Sequence, residues 1–111
     1  MYLTLKEQEG VRHLEVKYKN NKIRRECEEY KFSVRSYGKL MADKIHHRIG
    51  QIEAIDTVEL LIQYSVGRCH ELEGNRKGFY AMDLIHPYRL VFKVERGYVQ
   101  IATISEVVDY H

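Results

Sequence analysis

Four side chains near the C-terminal end carry the chemistry this chain offers: His70, Arg89, Tyr110 and His111. An imidazole with an ordinary pKa near ~6.5 can take or give a proton at neutral pH. Arg89 sits within Tyr88-Arg89-Leu90-Val91-Phe92. Alternation along a strand sends its apolar neighbours to the core and leaves Arg89 on the opposite, open face. A guanidinium there suits a phosphate, because its planar fork is permanently charged and binds two oxygens at once. Arg76 and Lys77 put two more cations on the glycine-bounded loop Gly74 to Gly78, and Arg68 stands at the start of that polar stretch. Tyr110 and His111 end the chain with a stackable ring and a second imidazole.

Each of these has a plainer alternative. His70 fits an ordinary polar loop, and an outward-facing Arg89 fits a cross-strand ion pair with a carboxylate such as Asp83. Tyrosine is frequent here, nine in all, so Tyr110 alone means little. Cys69 beside His70 does not make a thiol dyad, since such a pair needs spatial rather than sequential proximity. His46 and His47 diverge by roughly 100° on a helix, so they do not face one metal. Arg24 and Arg25 lie among Glu26, Glu28 and Glu29, the pattern of a solvated helix face with local ion pairs.

The elements that must position these residues follow from periodicity. Leu14, Val16 and Tyr18 alternate with His13, Glu15 and Lys17, which predicts a half-buried strand. Asn20 or Asn21 can cap a short helix carrying Ile23, Cys27 and Tyr30. Tyr37, Met41, Ile45, Ile49 and Ile52 draw an apolar stripe, widened by Leu40, for a helix from about Ser36 to Ala54. Asp56 and Glu59 have capping-box spacing for a third helix, which Gly67 ends. After the loop Arg68 to Gly78 come three strand-like runs: Phe79 to Ile85, Tyr88 to Val94 and Tyr98 to Val108. His86-Pro87 and Arg96-Gly97 separate them as hairpin turns. The expected architecture is α+β: an N-terminal strand and two to three helices packed on a C-terminal antiparallel meander.

Composition sets the bounds. A chain of 111 residues with 44% hydrophobic and 31% charged residues makes one folded domain. A net charge of +2 from 18 basic residues permits a nucleic-acid partner without the heavy excess of a DNA-coating protein. No apolar run approaches the ~20 residues of a membrane span. The N-terminus lacks a signal-peptide pattern. Two cysteines, Cys27 and Cys69, suit a reduced interior, so a cytoplasmic protein without membrane partner, metal or cofactor is expected.

The run His70 to Gly78, then Phe79 to Leu84, then Pro87 to Phe92, and finally Val108-Asp109-Tyr110-His111 resembles the HigB branch of the RelE/ParE toxin superfamily. Val16 to Arg25 is similar to the start of that branch. The resemblance covers residues 13–111 and leaves residues 1–12 as an extension. It implies a RelE-like fold and the toxin of a type II toxin–antitoxin system, a plasmid maintenance killer protein. Such toxins are mRNA interferases: endoribonucleases that enter the ribosomal A site and cut mRNA by attack of the ribose 2′-hydroxyl on the adjacent phosphorus.

The resemblance also implies roles and partners. His70 transfers a proton, Arg89 holds the scissile phosphate, and Tyr110 and His111 orient the nucleotide. Arg68, Arg76, Lys77 and Lys93 are the implied RNA-binding cations. The implied partners are a HigA-like helix-turn-helix antitoxin, the ribosome with its mRNA, and operator DNA through the antitoxin complex alone. One position departs: Glu73 stands where better-known members carry a lysine, and Arg76 or Lys77 is expected to pair with it or supply the cation. The competing functions are a ParE-like gyrase poison and an inactive binding module. The trio His70, Arg89 and Tyr110 favours the nuclease, since a gyrase poison does not need it.

Overall fold

A computed structural model describes residues 13–109 of the chain. The expected extension over residues 1–12 and the closing Tyr110 and His111 lie outside the described residues. In chain order the elements are β1 (Glu15–Tyr18), α1 (Asn21–Glu28), α2 (Tyr30–Tyr37), α3 (Lys39–Glu53), α4 (Val58–Gln63), β2 (His70–Glu71), β3 (Phe79–Asp83), β4 (Tyr88–Glu95) and β5 (Ile101–Asp109). Short 3-10 turns at Val66–Arg68 and Gly74–Arg76 flank β2. The strands form one sheet in the order β1-β5-β4-β3-β2. Among the described residues only β1 pairs in parallel, with Glu15 beside Ile101 and Tyr18 beside Ile104; the other pairs are antiparallel. The domain is α+β, as expected; the C-terminal meander is antiparallel, and β1 joins its β5 edge in parallel, which makes the whole sheet mixed.

Local chemistry sets the helix ends. The Asn20 side chain accepts the Ile23 backbone N–H at 2.9 Å and starts α1. Tyr30 does not ride on α1, because Glu29 leaves helical geometry (φ −93°, ψ 101°) and α2 begins beyond it. The single helix expected from Ser36 is likewise two. Gly38, at φ 84° and ψ 166°, takes a conformation that only glycine tolerates, so Tyr37 closes α2 and Lys39 opens α3. Met41, Ile45, Ile49 and Ile52 are buried as the stripe requires, but Leu40 is 75% exposed. One position before Met41, it is rotated by roughly 100° away from the stripe.

The cap of α4 falls one residue later than Asp56. Thr57 Oγ1 accepts the Leu60 N–H at 3.3 Å, while Asp56 pairs with His13 at 3.3 Å. Glu59 turns outward to Arg96 at 2.6 Å, and the Gln100 side chain caps Val58 N–H at 2.9 Å. A residue from the β4–β5 connection therefore completes a helix start that local spacing had assigned to Glu59.

The expected meander exists as β3-β4-β5, turned at His86-Pro87 by backbone bonds Leu84 N–H to Tyr88 O and Tyr88 N–H to Ile85 O. Its third strand begins at Ile101 rather than Tyr98, which is 94% exposed. The stretch Arg68 to Gly78, expected as loop, contains the two-residue edge strand β2, with His70 opposite Ala81 and Glu71 opposite Tyr80. Two residues are too few for a period-2 pattern to show.

Tyr80 and Met82 of β3, Leu90, Phe92 and Val94 of β4, and Ala102 and Ile104 of β5 join Ile45, Ile52, Val58 and Leu61 in one apolar core. A bulge between Val91 and Phe92 shifts the register of β4 on β5. The opposite face carries Phe79, Asp83, Arg89 and Lys93, and this open face holds the functional candidates. Among the described residues no helix is long and apolar enough to cross a membrane.

Candidate functional site

Strand register brings His70 and Arg89 to one end of the open face. His70 stands opposite Ala81, and Ala81 opposite Val91; Asp83 stands opposite Arg89, and Arg89 opposite Val108. His70 and Arg89 are thus two strands and one side-chain row apart, about 12 Å between Cα atoms at ordinary sheet spacings. That gap suits a phosphodiester lying between a proton acceptor and a guanidinium.

The loop before β2 is built to aim His70. Ser65 (φ 51°), Gly67 (φ 57°) and Arg68 (φ 54°) all adopt the left-handed region, a strained arrangement for two residues with side chains. The coil puts the Arg68 carbonyl 3.0 Å from His70 Nδ1. A carbonyl only accepts, so the neutral ring carries its proton on Nδ1 and keeps Nε2 as the basic nitrogen.

Asp83 ties the cations together. Its Oδ1 lies 3.5 Å from Arg89 Nε and its Oδ2 lies 3.2 Å from Arg68 Nε. The cross-strand ion pair that offered the plain alternative for Arg89 is therefore present. Both partners are about 30% exposed, at 31% and 29%. Ion pairs this open are worth no more than ~1 kcal/mol, so a phosphate can share or replace the carboxylate. Arg68, Asp83, Leu84, His86, Pro87, Tyr88 and Arg89 line a hollow of about 180 Å³.

Arg48, on α3, is a member that sequence reading missed. Its Nε donates to the Asp83 carbonyl at 2.7 Å and its Nη1 to Gln51 Oε1 at 2.8 Å. Its guanidinium lies against Gly67, where a Cβ would come within 2.8 Å of Nε. Burial pulls this guanidinium below the usual arginine value, while the Asp83 charge opposes the shift. In the sequence Arg48 is one polar residue on the face opposite the apolar stripe, with no local signal of a distant partner.

The remaining candidates are spread. Arg76 pairs with Glu106 at 2.9 Å and lies over the Phe79 ring, 4.7 Å from its centroid, so it does not neutralise Glu73. The physical reason is direction: Glu73 precedes the turn Gly74–Arg76, and the turn carries Arg76 inward across the sheet. Lys77 shares a shallow hollow with Glu71 and Glu73 at the edge of β2. Lys93 stands opposite Phe79 on the open face, its Nζ 5.8 Å from that ring. The structure groups His70, Arg68 and Arg89, and places Arg76, Lys77 and Lys93 farther along the sheet. Tyr110 and His111 lie outside the described residues; Asp109, the last described residue, stands opposite Tyr88.

The side chains set aside earlier behave as inert structure. Burial pushes the Cys69 thiol up to about 12, which leaves no thiolate for nucleophilic work. Arg24 and Arg25 pair with Glu28 and Glu29 on the helix surface.

A small α+β domain with helices on one face of a five-stranded sheet and a His–Arg group on the other has the fold of the YoeB/ParE-type toxins. A YoeB/ParE toxin from Agrobacterium tumefaciens matches with a TM-score of 0.61 at 14% identity, over 88% of this chain and 100% of that one. The YoeB dimer from Staphylococcus aureus matches with a TM-score of 0.58 at 23% identity, over 89% of this chain and 98% of that one. A YoeB–YefM complex from the same organism gives a TM-score of 0.57 at 23% identity, with the same coverage. At these identities the likeness establishes the fold. No protein-family model matches the chain, and no curated protein matches it.

Proposed function

We propose that this protein, over residues 13–111, is the toxin of a type II toxin–antitoxin pair and acts as a ribosome-dependent mRNA endoribonuclease. The observation that carries the reading is the pairing, on one open face of a toxin fold, of a tautomer-fixed His70 with the guanidinium groups of Arg89 and Arg68. Strand transfer by the ribose 2′-hydroxyl needs a base for its proton and cations for the charge that grows on the phosphorane oxygens. Nε2 of His70 takes the 2′ proton as the oxygen attacks phosphorus. Arg89 and Arg68 hold the non-bridging oxygens. The P–O5′ bond then breaks, leaving a 2′,3′-cyclic phosphate, and an acid protonates the departing 5′ oxygen; Tyr110 or His111 is the proposed donor.

The partner is an antitoxin, in keeping with the YoeB–YefM complexes that share the fold. The resemblance over residues 13–111 favours a helix-turn-helix antitoxin of the HigA type, through which operator DNA is engaged. Ribosomes carrying mRNA in the A site are the proposed target.

Primer extension on a reporter mRNA tests the reading, with a second reporter whose start codon is destroyed. Induction in growing cells is expected to produce cuts inside codons of the translated copy alone, and growth arrest that Arg89→Ala and His70→Ala relieve. Cuts in both copies would remove the ribosome from the mechanism. Arrest without cuts, persisting in both variants, would overturn the nuclease and leave a gyrase poison.

A further inference from the structure

The open face carries a second and larger hollow, about 580 Å³, that the cleavage step does not use. Lys19, Arg76, Phe79 and Lys93 line it, together with the carboxylates of Glu95 and Glu106. Glu106 is neutralised by Arg76 at 2.9 Å, and this bond holds the guanidinium over the Phe79 ring at 4.7 Å. A layered ring–guanidinium pair is broad and flat, which is the surface on which an unpaired nucleobase stacks. Lys93 and Lys19 then stand where a sugar–phosphate backbone can reach them, with Glu95 the one carboxylate here without a described ion pair. Phe79 lies four residues from Asp83 on the same face of β3, about 14 Å along the strand. The hollow therefore sits beside the His70–Arg89 group and at a distance that a few nucleotides span.

We propose that this hollow is a subsite for a nucleotide flanking the cut. Its base stacks on the Arg76–Phe79 pair, and its backbone lies on Lys93 and Lys19. The proposal rests on the reading of the protein as an RNA-cleaving toxin and adds the surface that grips RNA outside the reacting linkage. If the hollow were plain packing, the same groups would merely brace the loop before β3 against β5.

The test uses the full-length protein and a short single-stranded oligoribonucleotide that carries 2-aminopurine and 2′-O-methyl riboses, so that it cannot be cut. Binding is expected to quench the fluorescent base through stacking. Phe79→Ala should weaken binding about tenfold and abolish the quench, and Phe79→Tyr should restore both. Arg76→Ala, a change on a half-exposed turn, should also abolish the quench and serves where Phe79→Ala fails to fold. Lys93→Ala should keep the quench and lower the slope of log affinity against log salt by about 0.7, one phosphate contact on a single strand. Unchanged affinity and quench in Phe79→Ala and Arg76→Ala, or no binding by the parent protein, would overturn the subsite. Its failure is separable from failure of the nuclease. A protein that cuts on ribosomes but shows no Phe79-dependent quench loses only the hollow, and one that binds with the quench but never cuts loses only the nuclease.

Discussion

His70 gains its chemical direction from a single contact, the bond from its Nδ1–H to the Arg68 carbonyl two residues earlier. That carbonyl belongs to a residue in left-handed geometry, so a strained backbone is what fixes the tautomer. His70 is itself exposed, which separates its two consequences. His70→Ala should cut the cleavage rate by about 10²–10⁴-fold, yet change stability by no more than ~0.5 kcal/mol. Single-turnover cleavage on programmed ribosomes and urea unfolding measure the two, and a large stability loss would make His70 a structural residue. Asp83 invites a sharper test, since its carboxylate both orients Arg68 and Arg89 and competes with any incoming phosphate. Asp83→Asn keeps the shape and removes the charge. It should tighten RNA binding while lowering the maximal rate, each by about tenfold, because two unsteered guanidinium groups attract phosphate without holding it in line. Equal loss in both quantities would mean that Asp83 only stabilises the fold.

At the scale of elements, the loop between α4 and β2 decides whether the site exists, and it is the part the sequence concealed. The meander was legible because Tyr80, Met82, Leu90, Phe92 and Val94 alternate and Pro87 punctuates them. The stripe of α3 was legible through Met41, Ile45, Ile49 and Ile52. Gly38 as a helix break was hidden, since the same stripe runs through Tyr37 as though nothing intervened. Arg48 was hidden for a different reason: its partner, the Asp83 carbonyl, is 35 residues away, and long-range backbone bonds leave no periodic trace. Of the site, the residue types at 70 and 89 could be picked out in sequence, but the bridging role of Asp83 and the orienting role of Arg68 needed strand register. Gly67 joins these hidden features, because it must accept φ 57° and leave room for the Arg48 guanidinium. Gly67→Ala should destabilise the domain by about 1–3 kcal/mol, from left-handed strain and displacement of Arg48. It should also slow cleavage as His70 loses its aim. Chemical unfolding with a matched activity assay checks both, and a fully active, equally stable variant would show that the loop tolerates another path.

For the molecule as a whole, four ionisable groups that chemistry at the site does not use set an alkaline limit. Burial pushes the thiols of Cys27, on α1, and Cys69, before β2, from an ordinary 9.0 up to about 12, with the Glu26 and Glu28 charges adding to the effect on Cys27. Burial raises the phenols of Tyr18 on β1 and Tyr37 on α2 as well, and Tyr37 also donates to Glu26 at 2.9 Å. A group whose folded pKa is raised binds its proton more tightly in the native state. Its contribution is complete below the unfolded pKa and is lost as pH climbs toward the folded value. The sign is therefore one of falling stability from about pH 9 upward, with no cost at neutral pH. Each unit of displacement carries about 1.4 kcal/mol, so two thiols alone can remove a good part of the roughly 5–15 kcal/mol by which a domain is stable. Cys27 and Cys69 sit in the same apolar core, which couples their exposure to one cooperative event. Reaction of both thiols with an aromatic disulfide, phenolate absorbance and loss of far-ultraviolet ellipticity should follow one common transition between about pH 9 and 12. Rapid thiol reaction in a protein that keeps its ellipticity at pH 8 would contradict the burial of Cys27 and Cys69, and with it the packing that holds the helices against the sheet.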